Sequence, residues 1–305
     1  MTQPIIKIGT RGSPLALAQA YETRARLMAA HAMPEDRFEI VVIKTTGDKI
    51  LDRPLGEIGG KGLFTKEIED ALLDGSIDMA VHSMKDMPVD QPEGLILDCY
   101  LPREDVRDAF VSLKYKSIAD LPKGAKLGSS SLRRRAQILN RRPDIDVVEF
   151  RGNVQTRLRK LEDGIADATF LAMAGLNRLD NSAIAQSAID TDDLLPAVAQ
   201  GAIGIERHVG NHVIHDMLSA IADEPTQTRL AAERAFLKAL DGSCQTPIAG
   251  LATLDGDSLT LQGQILRLDG SEEVSGTITG PATDGVVLGQ KLAAELLEKS
   301  GGSFF

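Results

Sequence analysis

The stretch Ile77-Asp78-Met79-Ala80-Val81-His82-Ser83-Met84-Lys85-Asp86-Met87-Pro88 opens on a short apolar run and closes on polar residues. The run Ile77–Val81 reads as a buried strand. Pro88 stops any continuation of it. Ser83, Lys85 and Asp86 are therefore expected on a loop at the carboxyl end of a strand, where open α/β sheets bind ligands. An ammonium beside a carboxylate there keeps the acid ionised and able to face a cationic intermediate. A surface Lys–Asp pair capping a turn has the same local pattern.

Further strand-to-helix junctions flank this one. Ile5–Gly9 reads as a strand, Ser13 as a helix N-cap and Pro14 as the first helical residue, with Arg11 in the turn. Such a turn offers free backbone N–H groups to a carboxylate or phosphate. Phe38–Ile43 is a second strand, Leu63–Leu73 a helix and Leu95–Leu101 another strand. The pattern returns after Ala125–Gly128, where Ser129-Ser130-Ser131 leads into a helix carrying Arg133 and Arg134. It recurs after Ile145–Phe150, with Arg151-Gly152-Asn153 and Arg157, and again at Phe170–Arg178 with Arg178. Four Arg-bearing junctions at strand ends would gather on one edge of a parallel sheet. Guanidinium forks there hold carboxylates bidentately, so a cleft for a polyanion is expected.

Charge distribution agrees with this. The formal net charge is −10, which disfavours a global field for nucleic acid or membrane. Yet residues 126–160 hold ten Lys/Arg against three acids, a local anion site in an acidic chain. There is no Trp, with three Tyr and eight Phe, so base-stacking modules are not expected. The N-terminus enters a strand without an apolar leader, and no run is long enough to span a membrane. Together with only two cysteines, this reads as a cytoplasmic protein.

A charged crossover near Glu104–Asp108 and a return through Leu194–Glu206 describe two α/β lobes joined twice and able to flex. The helix Thr226–Leu240 and the alternating strands Ile248–Leu254, Leu259–Leu266 and Glu273–Thr279, closed by a helix over 283–299, form a small α+β domain. The tail 300–305 is expected to be partly disordered. No internal sequence repeat is evident. Residues 44–62 form a glycine-rich loop, either a mobile lid or solvated slack, and it lacks the Lys-Ser/Thr ending of a Walker loop.

Cys99 reads as a core thiol. Cys244, in the loop Gly242-Ser243-Cys244-Gln245-Thr246-Pro247, is open to three readings: nucleophile, covalent anchor or plain loop thiol. Of five His, only His82 is near the candidate site in sequence, which weakens a Cys–His hydrolase. No cluster has metal-ligand spacing, so no metal is expected.

Val81–Asp86, Ser130-Ser131-Leu132-Arg133-Arg134, Arg151-Gly152-Asn153 with Arg157, Ala174-Gly175-Leu176 with Arg178, Gln200-Gly201-Ala202 and Gly242–Gln245 occur together and in order. The set resembles the porphobilinogen deaminase (hydroxymethylbilane synthase) family over nearly the whole chain. The resemblance implies two lobes like those of periplasmic binding proteins, residues 1–101 with 202–219 and residues 107–195, and a C-terminal domain, 224–305. It implies a dipyrromethane cofactor bound covalently, through a thioether, to Cys244. On it, porphobilinogen is polymerised to a linear tetrapyrrole with loss of ammonia.

The residue types suit that chemistry. Each pyrrole brings an acetate and a propionate, which Arg11, Lys85, Arg133, Arg134, Arg151, Arg157 and Arg178 can meet, with Ser13, Ser83, Ser129 and Ser131 completing the contacts. Loss of ammonia leaves an electron-poor azafulvene, and Asp86 is the family's carboxylate facing it. Glu57 stands where relatives are commonly basic, so only Lys61 of that loop is carried over as a lid contact. The family implies a monomer. A non-catalytic two-lobed polycarboxylate binder is the alternative from another class.

Overall fold

The computed structural model describes residues 4–49, 65–242, 246–301 and 304 of the 305-residue chain. Two compact units emerge, Met1–Glu104 with Ala202–Gln227, and Asp105–Gly201 with Thr228–Phe305. Lys61, Glu57 and Cys244, and most of the glycine-rich loop, lie outside the described residues.

The first unit is built on a five-stranded sheet of β1 (Ile6–Thr10), β2 (Phe38–Val42), β3 (Met79–Ser83), β4 (Leu95–Tyr100) and β10 (Ile203–His208), in the order β2-β1-β3-β10-β4. β1 runs parallel to β2 and β3, whereas β10 runs antiparallel to β3 and β4. Side chains alternate across a pleated strand. Met79 and Val81 of β3 accordingly join a core with Ile8, Ile205 and, from helix α1 (Pro14–His31), Ala20 and Leu27. Ala80 faces the other way, into Ile68 and Leu72 of helix α2 (Lys66–Leu73). Both faces are covered, which is why Met79–Val81 is continuously apolar.

The second unit contains a sheet of β5 (Asp108–Ser112), β6 (Lys126–Gly128), β7 (Asp146–Val148), β8 (Ala168–Ala172) and β9 (Ser187–Ala188), ordered β7-β6-β8-β5-β9. β6 is parallel to β7 and β8, and β5 is antiparallel to β8 and β9. This is the arrangement of the first sheet, with an antiparallel strand next to the edge. The strands that carry the Arg-bearing junctions are parallel, as expected, whereas β5 and β10, each reached through a crossover, reverse direction. β5 and the two-residue β9 are too short or too charged at their ends to stand out in the sequence, and helix α6 (His212–Ser219) was also not anticipated.

The same unit includes the antiparallel meander β11 (Ile248–Asp255), β12 (Ser258–Leu266) and β13 (Glu273–Pro281). Helix α7 (Glu224–Ala239) contributes Phe236, and helix α8 (Gly285–Lys299) contributes Leu292 and Leu296, all fully buried. The tail departs from the expected disorder at Phe304, which is buried and accepts a hydrogen bond at its carbonyl from Arg267 Nη1 (2.8 Å). The architecture is thus two α/β lobes with one shared strand order plus a small C-terminal α+β domain. Among the described residues, no helix is long and apolar enough to cross a membrane.

Candidate active site

In the first unit, β1 and β3 are adjacent and parallel, so the turns that follow them meet at one edge of the sheet. Ser13 caps α1, its Oγ accepting from Ala16 N at 3.2 Å, with Pro14 as the first helical residue. After β3 the chain makes a single 3₁₀ turn over Met84–Asp86, anchored by the buried Met84 and by its N–H to Ala202 O (3.1 Å). Between these turns lies a small pocket, open to solvent, lined by Arg11, Ser13, Gln19, His82, Ser83 and Asp86 among others. Asp86 is exposed and has no hydrogen-bond or ion-pair partner among the described residues. A carboxyl group presented in the same pocket as Arg11, with no partner among the described residues, is available to a cationic or N–H-bearing ligand.

Gln19 belongs to this site and was not anticipated. It is 3 % exposed, and its amide meets the Ser83 hydroxyl, Nε2 donating at 2.8 Å and Oε1 accepting at 3.0 Å. The sequence signal was a polar residue on the stripe Ala20, Thr23, Leu27 that α1 buries.

In the second unit, β7, β6 and β8 run parallel, so the three remaining Arg-bearing junctions share one sheet edge. Helix α3 (Leu132–Arg141) is capped by Ser131, whose Oγ accepts from Arg134 N (3.4 Å). Ser129 Oγ accepts from Ser131 N (3.2 Å), which tightens the same turn. Helix α4 (Val154–Glu162) is capped by Asn153 (2.9 Å from Thr156 N). Helix α5 (Met173–Arg178) follows β8 directly, and Arg178 Nη2 donates to Gly201 O at 3.1 Å.

Arg133 and Arg134 have a partner that reading the chain linearly did not reveal. Asp108, fully buried, accepts from Arg133 Nη2 (2.7 Å), Arg134 Nη2 (2.6 Å) and Gln200 Nε2 (2.9 Å). Burial pushes the Asp108 carboxyl up, but the two guanidiniums outweigh it and hold it well below the usual carboxylate range. The Nη1 groups donate to Leu195 O and Phe170 O. What remains is Nε of each arginine, buried and without a partner among the described residues.

Arg157 adds a third cation. Burial and the charge of Arg134 lower it to about 10, against the opposing charge of Glu149. Lys160 donates to Arg151 O (2.9 Å) and lies over the Phe150 ring. Two orphaned guanidinium N–H groups, a like-charged neighbour and two capped helix N-termini make up a donor set with a deficit of protein anions. Such a set fits a ligand carrying several carboxylates. No group of three or more metal-ligating side chains that could hold an ion occurs among the described residues.

Comparison with known proteins gives this donor set a family. Residues 6–216 match the model of the porphobilinogen deaminase dipyromethane cofactor binding domain, and residues 227–298 match that of the porphobilinogen deaminase C-terminal domain. A porphobilinogen deaminase of Paracoccus denitrificans (strain Pd 1222) is 65 % identical over 300 residues, covering 98 % of this chain and 96 % of its own. Among solved structures, the VFT2 domain of Bordetella pertussis BvgS is 16 % identical with a TM-score of 0.43, covering 76 % of this chain and 93 % of its own. Immunogenic lipoprotein A from Vibrio vulnificus is 14 % identical with a TM-score of 0.44, covering 73 % and 97 %. With the two family models together matching most of the chain, and a relative similar over almost its full length, the chain belongs to the porphobilinogen deaminase family.

Proposed function

We propose that the chain polymerises porphobilinogen into hydroxymethylbilane on a covalently held dipyrromethane, releasing ammonia at each addition, with Asp86 as its catalytic carboxylate. The observation that carries the assignment is Asp86 itself, exposed and without a partner among the described residues, in a pocket that also presents Arg11. A carboxylate held there in advance would face the pyrrole N–H groups and need little reorganisation when positive charge develops on the substrate as ammonia departs. It can also assist the proton transfers of deamination. Gln19 fixes the Ser83 hydroxyl beside it.

When bound, dipyrromethane supplies the pyrrole carbon on which the chain is extended. Cys244 is proposed as its thioether anchor. Arg133 and Arg134 through their Nε–H groups, Arg151, Arg157 and Arg178, with Ser129 and Ser131, would hold carboxylates in the second unit. Arg11, Ser13, Ser83 and Lys85 would do so in the first, with Lys61 as a further contact. The three-domain division at 1–101 with 202–219, 107–195 and 224–305 is proposed on the same basis. So are action as a monomer and a cytoplasmic location, the latter supported by a buried free thiol at Cys99. Porphobilinogen is the proposed partner, and no nucleic acid or membrane is involved.

Intact mass after single-turnover addition of porphobilinogen tests the proposal. A ladder of covalent pyrrole adducts is expected, absent in Cys244→Ser. A ladder that persists in that variant would place the anchor elsewhere, and no ladder in the parent protein would remove the enzymatic reading.

A further inference from the structure

Directly behind Asp86, the pocket wall is backed by a buried acid–base cluster. His82 follows Ala80 on the face of β3 that packs under α2. The antiparallel register sets Gly204 opposite His82, so Glu206 stands diagonally across from it on β10. His82 Nε2 lies 3.0 Å from Glu206 Oε2, with His82 6 % exposed and Glu206 fully buried. Glu206 Oε1 is buried and has no partner among the described residues. Glu69 of α2 acts on the same pair. Burial, above all, and the charge of Glu206 raise its carboxyl above its ordinary value, while Thr65 and His82 pull the other way.

A fully buried carboxylate with a single hydrogen-bond partner is costly, and two buried acids near one another do not both ionise readily. The His82–Glu206 pair and the raised Glu69 carboxyl are therefore one electrostatically linked cluster. The carboxylate at Nε2 also decides the tautomer: Nε2 carries the hydrogen, and the lone pair falls on Nδ1. His82 lines the pocket, and Nε2 is already engaged, so Nδ1 is the nitrogen left for a ligand. The charged groups that bear on the ring are Glu206 from β10, Glu69 from α2, and Arg11 and Asp86 from the turns lining the pocket.

We infer that His82 is the proton-exchanging group of this pocket, with Glu206 as the positioning residue that sets its tautomer and Glu69 as a buried acid that tunes the pair. The inference rests on the reading that the pocket holds pyrrole rings beside Asp86. In each addition ammonia leaves the incoming aminomethyl carbon with the C–N electron pair, and the π electrons of the terminal ring then form a C–C bond to that carbon. The C–H electron pair at the joined ring carbon returns to the ring as the proton bonds to the Nδ1 lone pair. The resulting imidazolium gives that proton to the released ammonia, which leaves the pocket as ammonium. No oxidant or further co-reactant is needed. Asp86 faces the ring N–H groups, and the C–H proton is carried by His82.

The test uses the cofactor-loaded enzyme labelled with ¹⁵N-histidine, compared with His82→Gln and Glu206→Gln. His82→Gln assigns the resonance. The expected spectrum keeps Nε2 protonated while Nδ1 titrates, and Glu206→Gln lowers the midpoint by about one unit, because the stabilising negative charge is gone. The rising limb of the rate against pH should move down with it. His82→Gln should lose that limb and slow turnover by about a hundredfold, with the attached mass and KM unchanged. A bare Nε2 across the pH range, or Glu206→Gln leaving midpoint and limb in place, overturns the inference. If His82→Gln fails to fold, Glu206→Gln retains the imidazole and still decides. Full activity of His82→Gln alongside an inactive Asp86→Ala sinks the inference alone; an active Asp86→Ala sinks the reading of the pocket and the inference with it.

Discussion

Replacing Asp108 with Asn preserves shape and removes one charge from the centre of the second lobe. The carboxylate accepts from Arg133, Arg134 and Gln200 at 2.7, 2.6 and 2.9 Å. Without it, two guanidiniums only 5 % and 7 % exposed lose their counter-charge. Removing one partner of a buried ion pair costs about 3–5 kcal/mol. The Asn oxygen still accepts one hydrogen bond, and the arginines keep the Leu195 and Phe170 carbonyls, so the low end, about 3 kcal/mol, is expected. That corresponds to a melting point lowered by on the order of 10 °C. The pH dependence has a definite sign. Because the folded carboxyl is held below its unfolded value, its stabilisation is present above about pH 4 and is lost as the pH falls through the folded value. Parent and variant should therefore differ across the neutral range and converge only in strong acid. Differential scanning fluorimetry from pH 4 to 8 reads this directly, with intact mass reporting whether cofactor is still attached. A variant that melts within about 2 °C of the parent at pH 7 would refute the reasoning.

Asp86→Ala should reduce porphobilinogen consumption by at least about a hundredfold while the attached mass and melting point stay at parental values, since the exposed carboxylate has no partner to lose. Normal consumption would refute its role. Gly204→Ala should destabilise the protein by about 1–3 kcal/mol and slow turnover, because the new methyl would collide with Met84 Sδ and Leu97 Cδ2 beneath the Met84–Asp86 turn; parental melting and rate would show that Met84 yields freely. Burial, with the Asp98 charge, pushes the Cys99 thiol up to about 12. Native protein treated with iodoacetamide at pH 8 should remain unmodified at Cys99 by peptide mapping, and rapid labelling there would contradict the packing.

Much of the architecture could be read linearly, for identifiable physical reasons. Met79–Val81 is buried on both faces, and such strands are continuously apolar. Ser13, Ser131 and Asn153 cap helices through contacts only three residues away, so their roles are written locally. Asp86 at a strand end and Arg157 near a helix start follow from the same short-range logic. Contacts between distant residues are a different matter. Asp108 read as part of a charged crossover because nothing adjacent marks it; its partners lie 25, 26 and 92 residues away. Gln19 gains its meaning from Ser83, 64 residues on, and His82 from Glu206, 124 residues on.

By itself, the sequence determined most of the strands and helices, though not β5, β9 or α6, as well as where the junctions carry arginine and, through motifs in order along the chain, the family. Those properties depend on side-chain periodicity, capping and residue type over a few neighbours. Only the tertiary structure decided that both lobes share one strand order with an antiparallel strand beside the edge, a likeness that no internal repeat announces. It also decided that two of the expected ligand-binding arginines each give a donor to one buried aspartate and another to a backbone carbonyl, and that a histidine in the site is backed by a buried acid pair. Pairing of strands and burial of charge bring together residues that the chain keeps far apart, and the energy of a buried charge depends on which partners arrive, not on its neighbours in sequence.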